Sequence, residues 1–436
     1  MFDQFQKHLH GQFPFLTKGK LLIAISGGLD SVVLTHLCKQ ANLDIALAHC
    51  NFNLRGDESN ADEEFVLEMA ENLNLEVFIE SFETETFAKN NKLSTQVAAR
   101  QLRYDWFYDL ANQLDFDYIL TAHHADDNLE TFLINITRGT GLDGLVGIPE
   151  MNGKIVRPLL PFSREDLEVY AIGKKLEWRE DSSNASKKYL RNKLRHDIIP
   201  TLKQMNPQLL QNFKTTVSNL QDAQHLVEDS LIRVQKKVVS VENDVIKLKV
   251  KKLKKLSNPK AYLYELLKDF NFTEWNDVVS LLDAQSGKQV FSPTHRLIKD
   301  RDFLLLTEIQ TENEGHSFDI EESDRSLVTT IGTIFMEEVD EILKGQPNVV
   351  YLDKNKLKFP LTVRPWREGD YFYPFGMKGK KKISKYFKDE KMSLIEKENA
   401  YLLCSNDTIV WVIGKRGDER FMAKPETKQI IKFEIH

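Results

Sequence analysis

The stretch LLIAISGGLDSVVLTHL, Leu21 to Leu37, constrains this chain more than any other. Leu21 to Ile25 is a short apolar run with β-branched content, suited to a strand buried on both faces. The chain then turns through Ser26, Gly27, Gly28, Leu29, Asp30 and Ser31 into Val32 to Leu37, whose apolar spacing suits a helix. Two adjacent glycines let backbone N–H groups crowd around an anion with no Cβ in the way. The start of a helix adds the positive end of its dipole. The stretch therefore reads as a phosphate-binding turn. A Walker A loop would need a lysine after its glycines, and none follows here. Ser26 and Ser31 offer hydroxyls to pyrophosphate oxygens, and Asp30 is placed to hold Mg²⁺ or the turn itself. An ordinary strand–turn–helix, with glycines that only cap and turn, is the bland alternative.

The pattern continues in alternation. Asp44 to His49 reads as a second strand, Glu58 to Leu73 as a helix and Glu76 to Ser81 as a third strand. Ser94 to Leu114 is a long amphipathic helix with Ser94 as its cap. Tyr118 to Ala122 is a fourth strand, followed by a helix over Asp126 to Thr137. Such alternation predicts an α/β fold, a doubly wound parallel sheet with the glycine turn at its carboxyl edge. At 436 residues the chain exceeds one usual domain. Three segments are expected: 1–205 as the parallel-sheet domain, 206–330 as a mainly helical middle, and 331–436 as a small β-rich domain. Asn243 to Leu256 alternates apolar residues with lysine, as a half-exposed strand or a helical entry would. Glu312 to Arg325 is acidic and reads as a linker or exposed loop.

Several clusters carry chemistry. His49 to Gly56, HCNFNLRG, ends the second strand; His49 could contact adenine or phosphate there, and Arg55 could reach a phosphate. Arg100 and Arg103 stand three apart on the long helix, a paired guanidinium face suited to phosphate or carboxylate. His123 to Thr131, HHADDNLET, ends the fourth strand. Its spacing is not that of a zinc helix, but Asp127 and Glu130 share one helical face and could bind an ammonium group. Arg138 to Leu145 is a glycine-rich loop. Arg157 to Leu160 (RPLL) and Asp181 to Asn184 (DSSN) precede Arg191 and Arg195, four apart on a predicted helix with Lys187, Lys188 and Lys193 nearby. That face suits a phosphate backbone, or is merely solvated. In the last segment, Arg364 to Lys391 holds nine Lys/Arg against four Asp/Glu, an excess of five in a chain whose net charge is −6. Lys378, Lys380, Lys381 and Lys382 suggest a basic hairpin tip, with Tyr371, Phe372, Tyr373, Tyr386 and Phe387 as stacking rings or, for most of them, core.

The negative net charge argues against a uniformly basic nucleic-acid binder and confines any such surface to a patch. Cys38, Cys50 and Cys404 are too few and scattered for a disulfide framework or zinc knuckle. The first residues lack a secretory signal's features and no apolar run approaches a membrane span. A cytoplasmic protein is expected.

The motifs SGGLDS, HCNFNLRG, ARQLRY, TAHHADDNLET, RGTGLDGL, DSSN and RNKLR, in this order, resemble the tRNA(Ile)-lysidine synthase family, within the N-type ATP pyrophosphatases. The run VRPWREGD, FGMKGKKKIS and WVIGKRGDERF is similar to that family's last domain. Phe52 stands where the family often has a second histidine. The resemblance implies a ligase that uses ATP to adenylate O2 of the wobble cytosine in an isoleucine tRNA with a CAU anticodon. The ε-amine of free L-lysine then attacks C2 and expels AMP, leaving lysidine. It implies ATP on Ser26, Gly27, Gly28, Leu29, Asp30, Ser31, His49 and Arg100, with Mg²⁺ on Asp30. Lysine is expected on Asp127, Glu130 and Arg103, and tRNA on Arg191, Arg195, Lys378, Lys380, Lys381 and Lys382. Asp30, Asp127 and Glu130 are the expected catalytic residues, and a homodimer is among the expected assemblies. Three rivals share the turn: a tRNA thiolase, an amidotransferase-type synthetase, and a non-catalytic tRNA-binding protein with a relic nucleotide fold. The first usually relies on paired cysteines, and no C-x-x-C occurs here.

Overall fold

The apolar run before the glycine turn lies at the heart of a six-stranded sheet. In the computed structural model, which describes residues 1–180, 190–242, 245–309, 316–343 and 348–436, two compact units are present, Met1–Glu228 and Asp229–His436. The boundary falls within one 30-residue helix, Leu209–Val238.

In the first unit the elements run α1 (Phe2–Gln12), β1 (Lys20–Ala24), α2 (Leu29–Gln40), β2 (Asp44–Asn51), α3 (Asp57–Leu73), β3 (Val77–Ser81), α4 (Thr84–Asn90) and α5 (Thr95–Gln113). Then come β4 (Tyr118–Leu120), α6 (Ala125–Arg138), β5 (Met151–Asn152), β6 (Ile155–Val156), α7 (Arg164–Lys174), α8 (Leu190–Lys193), a π-helical turn (Leu194–Ile198), α9 (Ile199–Met205) and α10 (Leu209–Val238). The strand order is β3-β2-β1-β4-β6-β5, and β1 pairs in parallel with both β2 and β4. The chain thus winds outward to one side of β1 and then to the other, so the crevice between the carboxyl ends of β1 and β4 is the switch point where ligands bind in such sheets. Residues alternate across the sheet. Leu21 and Ile23 join a core with Phe5, Val33, Val66 and Leu167, while Leu22 faces Phe107, Ala111 and Ile119 on the other side. Each such buried aliphatic side chain contributes about 1.5–3 kcal/mol. Ser94 caps α5 as expected, its side chain accepting from the Val97 N–H. The sequence pattern did not single out α1, α4 or the β5–β6 pair; the two strands have two residues each, too short for a period to register.

The second unit contains a five-stranded antiparallel sheet, ordered 239–242, 245–249, 303–308, 295–300 and 289–291. Helices Pro259–Leu267 and Trp275–Ser280 accompany it, and Leu248, Leu263, Val278, Leu297 and Leu304 form their shared core. The lysine-alternating stretch resolves into strand Val245–Lys249 and the short helix Val250–Leu253. Beyond it lie two four-stranded sheets with a common core that includes Ile334, Leu352, Val363, Leu403, Trp411 and Phe433. The acidic stretch read as a linker is corrected in part. Phe318–Ile320 is a strand paired with Leu361–Val363, anchored by Ile320, which is buried; two apolar residues among acids are too short a run for a pattern to register. Residues 312–315 of that stretch lie outside the described residues, as do DSSN, Lys187 and Lys188. Among the described residues no helix is long and apolar enough to cross a membrane.

Candidate active site

Ser26 lies two residues past the end of β1, and α2 begins at Leu29. Gly27 takes φ +80°, and a Cβ there would also sit 3.3 Å from the Phe65 ring. Glycine alone meets both conditions. Ser31 Oγ donates to the Gly28 carbonyl and accepts from the Ser26 N–H, at 2.9 and 3.2 Å. Gly28 N–H donates to Ser26 Oγ at 3.3 Å. The two serines therefore shape the turn, and the Arg179 N–H ties it down by donating to the Gly27 carbonyl at 3.0 Å. Asp30, in the first turn of α2, receives Arg164 Nη1 on both carboxylate oxygens, at 3.1 and 3.0 Å. Among the described residues no group of three or more His, Cys, Asp or Glu is set to enclose a metal. Magnesium bound through nucleotide phosphates needs only one or two carboxylates, and Asp30 fits that demand.

Across the switch point, His124 precedes α6 and is wholly buried. Its Nε2 lies 3.6 Å from Asp30 Oδ2 and 3.3 Å from Asp127 Oδ2, and its Nδ1 3.8 Å from Asp126 Oδ2. Burial works against its charged form, but the carboxylates of Asp127, Asp30 and Asp126 outweigh it and raise the His124 pKa. Asp127 accepts the His124 backbone N–H at 3.1 Å. Burial would lift its pKa too, yet His124, His123 and Arg195 hold it below the usual carboxylate value. Glu130 goes the other way: burial raises its pKa, opposed by Arg195. Arg195 Nε donates to Glu130 Oε1 at 2.6 Å, and its Nη2 to Asp127 Oδ1 at 2.9 Å and Glu130 Oε2 at 3.1 Å. The structure thus unites two groups that the sequence assigned separately, the acids to lysine and Arg195 to RNA. Arg191 is there as well, 3.4 Å from Glu130. Asp126 is structural, accepting Lys203 Nζ at 2.5 Å and the Arg164 N–H at 2.9 Å.

The paired arginines of α5 diverge. Arg103 lies 5.1 Å from the Phe52 ring centroid and acts electrostatically on His49 and Cys50 at the end of β2. Arg100 stacks 4.9 Å from the Tyr104 ring and acts on His123 and Arg157, beyond β4 and β6. The sequence reading had Arg100 with the nucleotide and Arg103 with lysine. Residues three apart on a helix diverge by some 60°, enough to address different strands. His49 is buried, with Nδ1 donating to the Ile25 carbonyl at 3.0 Å, so it braces the start of the turn. Arg55 is not free for phosphate: its Nη2 pairs with Asp62 at 2.8 Å.

His123 carries a pH signature. Burial, with Arg157, Arg100 and Arg191 adding to it against Asp127, pushes its pKa down to about 4. Below the ordinary value of 6.5 the unfolded chain takes up a proton that the folded one refuses. Stability is therefore lost as pH falls from about 6.5 to about 4, by up to about 3 kcal/mol. Urea midpoints across that range should fall less steeply for His123→Gln than for the native chain; parallel slopes would refute the assignment.

In the second unit, Tyr371–Phe372 and Lys381–Lys382 pair as the expected hairpin, with Gly376 and Gly379 at φ +78° and +84° in its tip. Phe372, Tyr386 and Phe387 are core, whereas Tyr371 is half exposed with Lys380 Nζ 4.8 Å from its ring centroid. Asp418, wholly buried, accepts the Tyr373 N–H at 2.8 Å and is clasped by Arg420. Lys378, Lys380 and Lys382 are exposed. Lys381 is engaged with Asp389 at 2.6 Å, which removes it from the free set of four.

Sequence reasoning gave no role to Arg157, Arg164, Arg179 or Lys203 and quoted His124 without one. Arg164, Arg179 and Lys203 lie far along the chain from the acids they touch, and RPLL was the sole local hint for Arg157.

Three family models match the chain: a PP-loop domain over residues 1–202, a TilS substrate binding domain over 241–309 and a TilS substrate C-terminal domain over 361–434. The tRNA(Ile)-lysidine synthase of Parabacteroides distasonis is 41% identical, over 94% of each chain. That of Bacteroides thetaiotaomicron is 35% identical over 98% of each. That of Porphyromonas gingivalis is 34% identical over 92% of this chain and 90% of its own.

Proposed function

The chain belongs to the tRNA(Ile)-lysidine synthase family, and from that premise we propose how its own residues divide the work of forming lysidine from ATP, tRNA and lysine. The observation that carries the reading is the meeting of the SGGLDS turn with the His124, Asp127 and Glu130 side chains at one switch point. ATP phosphates lie along Gly27 to Ser31, on N–H groups at the start of α2. The wobble cytosine O2 attacks the α-phosphorus and pyrophosphate leaves. Mg²⁺ on Asp30 would neutralise charge on that leaving group. Arg103, beside the end of β2, serves the nucleotide, and Arg100, beside Arg157, the lysine carboxylate. Asp127 and Glu130 attract the ε-ammonium. Glu130, with its raised pKa, is the better acceptor of the proton the amine must lose before it attacks C2. Sulfur transfer is disfavoured chemically: burial pushes Cys50 up to about 12 and Cys404 up to about 11, so neither is a thiolate at neutral pH.

Mass spectrometry of nucleosides from a CAU-anticodon isoleucine tRNA, incubated with the protein, ATP and lysine, tests the reading. Lysidine should appear, with pyrophosphate release dependent on tRNA; release without tRNA, or no lysidine, would count against it.

The exposed lysines of the hairpin are read as RNA-binding groups. The triple change of Lys378, Lys380 and Lys382 to alanine should weaken tRNA binding and flatten its salt dependence. Each single-strand phosphate left without its lysine lowers the log–log slope by about 0.7. ATP affinity should not move, and an unaltered slope would leave the patch as solvated charge.

A further inference from the structure

The acid pair read above as the ammonium site is filled by the chain itself. Arg195 is bound through two nitrogens to Glu130 and Asp127, at 2.6 to 3.1 Å. To two carboxylates, a guanidinium and an alkylammonium are the same kind of ligand, a cationic N–H donor on an aliphatic stem. While Arg195 is there, the acids that would draw lysine in are already paired with a cation.

We propose that Arg195 is a placeholder for the substrate's ε-ammonium, and that RNA phosphates draw it away, so that the lysine site opens only once tRNA is bound. This rests on the lysine-binding reading of Asp127 and Glu130 and adds its regulation. Three observations support it. The Arg195 side chain is 25% exposed, against 1% for Glu130; the cation lies on the solvent side of the pair and can leave outward, while the acid cannot follow. Arg195 sits on a single π-helical turn, Leu194–Ile198, between α8 and α9, an irregularity that locally loosens the helical ladder. Finally, Arg191, Lys193 and Arg195 place three cations within five residues, and a phosphate offers a guanidinium the same fork geometry as a carboxylate.

The exchange keeps every charge paired. Arg195 trades Glu130 for a phosphate, and the incoming ammonium takes the vacated acids. No buried carboxylate is stranded, which is the costly outcome in such a site. The order also protects the chemistry. An amine poised beside ATP before the cytosine arrives could attack the α-phosphorus itself, so excluding lysine until tRNA is seated removes that side reaction.

The test is calorimetric titration of lysine into the full-length protein without ATP, with and without the tRNA. The native chain should bind lysine at least about tenfold more tightly with tRNA, the scale of one charge-assisted hydrogen bond. Arg195→Ala should gain a similar factor without tRNA, and millimolar guanidinium, refilling the hole, should compete with lysine in that variant. Arg195→Gln, neutral but still able to donate to Glu130, carries the test if the alanine variant does not fold. If the variants bind lysine without tRNA no better than the native chain, although all bind it with tRNA, the placeholder is refuted and the lysine site stands. If lysine binds to none of them even with tRNA, the lysine-site reading itself fails.

Discussion

Asp30→Ala should form AMP at least about 100-fold more slowly than the native chain, the scale for removing one preorganised charge-stabilising group, while its tRNA affinity should be nearly unchanged. The carboxylate stands in the first turn of α2, where departing pyrophosphate and its ion would lie. It also holds Arg164 through both oxygens and faces His124. Its loss removes the carboxylate proposed for Mg²⁺ and one of the charges that raise the His124 pKa. Because Asp30 is partly exposed, the protein should still fold, and filter binding of tRNA separates a chemical defect from a structural one. Near-normal AMP formation would remove Asp30 from the mechanism.

The second large effect is on lysine. Asp127→Asn and Glu130→Gln keep shape but each removes a charge from the proposed ammonium site. A charged hydrogen bond is worth about 1.5–3 kcal/mol, so the KM for lysine should rise roughly tenfold or more in each. The two should differ in pH behaviour. Against the burial of His124, Asp127 is the leading carboxylate that raises its pKa, so Asp127→Asn should also move the pH profile as His124 loses its proton at lower pH. Glu130→Gln should instead blunt the amine-attack step, since it removes the group with the raised pKa. Adenylation should survive better than lysidine formation in both. A pure ATP defect with unchanged lysine dependence would transfer these residues to the nucleotide.

The turn was legible because its logic is local: the strand, the glycine with positive φ and the helix start are adjacent in the chain, and SGGLDS spells them out in order. The same holds for the Ser94 cap and for the hairpin with its inward Phe372 and outward lysines. What escaped was decided by distance along the chain. Nothing near Arg195 announces that it will meet Glu130, 65 residues earlier; a basic helix looks the same whether its guanidinium faces solvent or a buried acid. Among the four lysines of the tip, spacing did not single out Lys381 as the one paired with Asp389, at the end of the helix that follows. The split between Arg100 and Arg103 needed the strand order, since their spacing reports a shared helical side but not which strand each addresses.

Asp418 anchors the second unit's basic hairpin at its root. It is wholly buried, accepts the Tyr373 N–H and is forked by Arg420, whose guanidinium carbon lies 4.4 Å from the Tyr373 ring centroid. The strand entering the tip is therefore fastened before any ligand arrives. The lysines at that tip are carried as teeth on a comb, not as beads on a string. The conformational entropy that a disordered basic tail surrenders on meeting a polyanion has, at this root, already been surrendered in folding, and what remains is the freedom of the side chains alone.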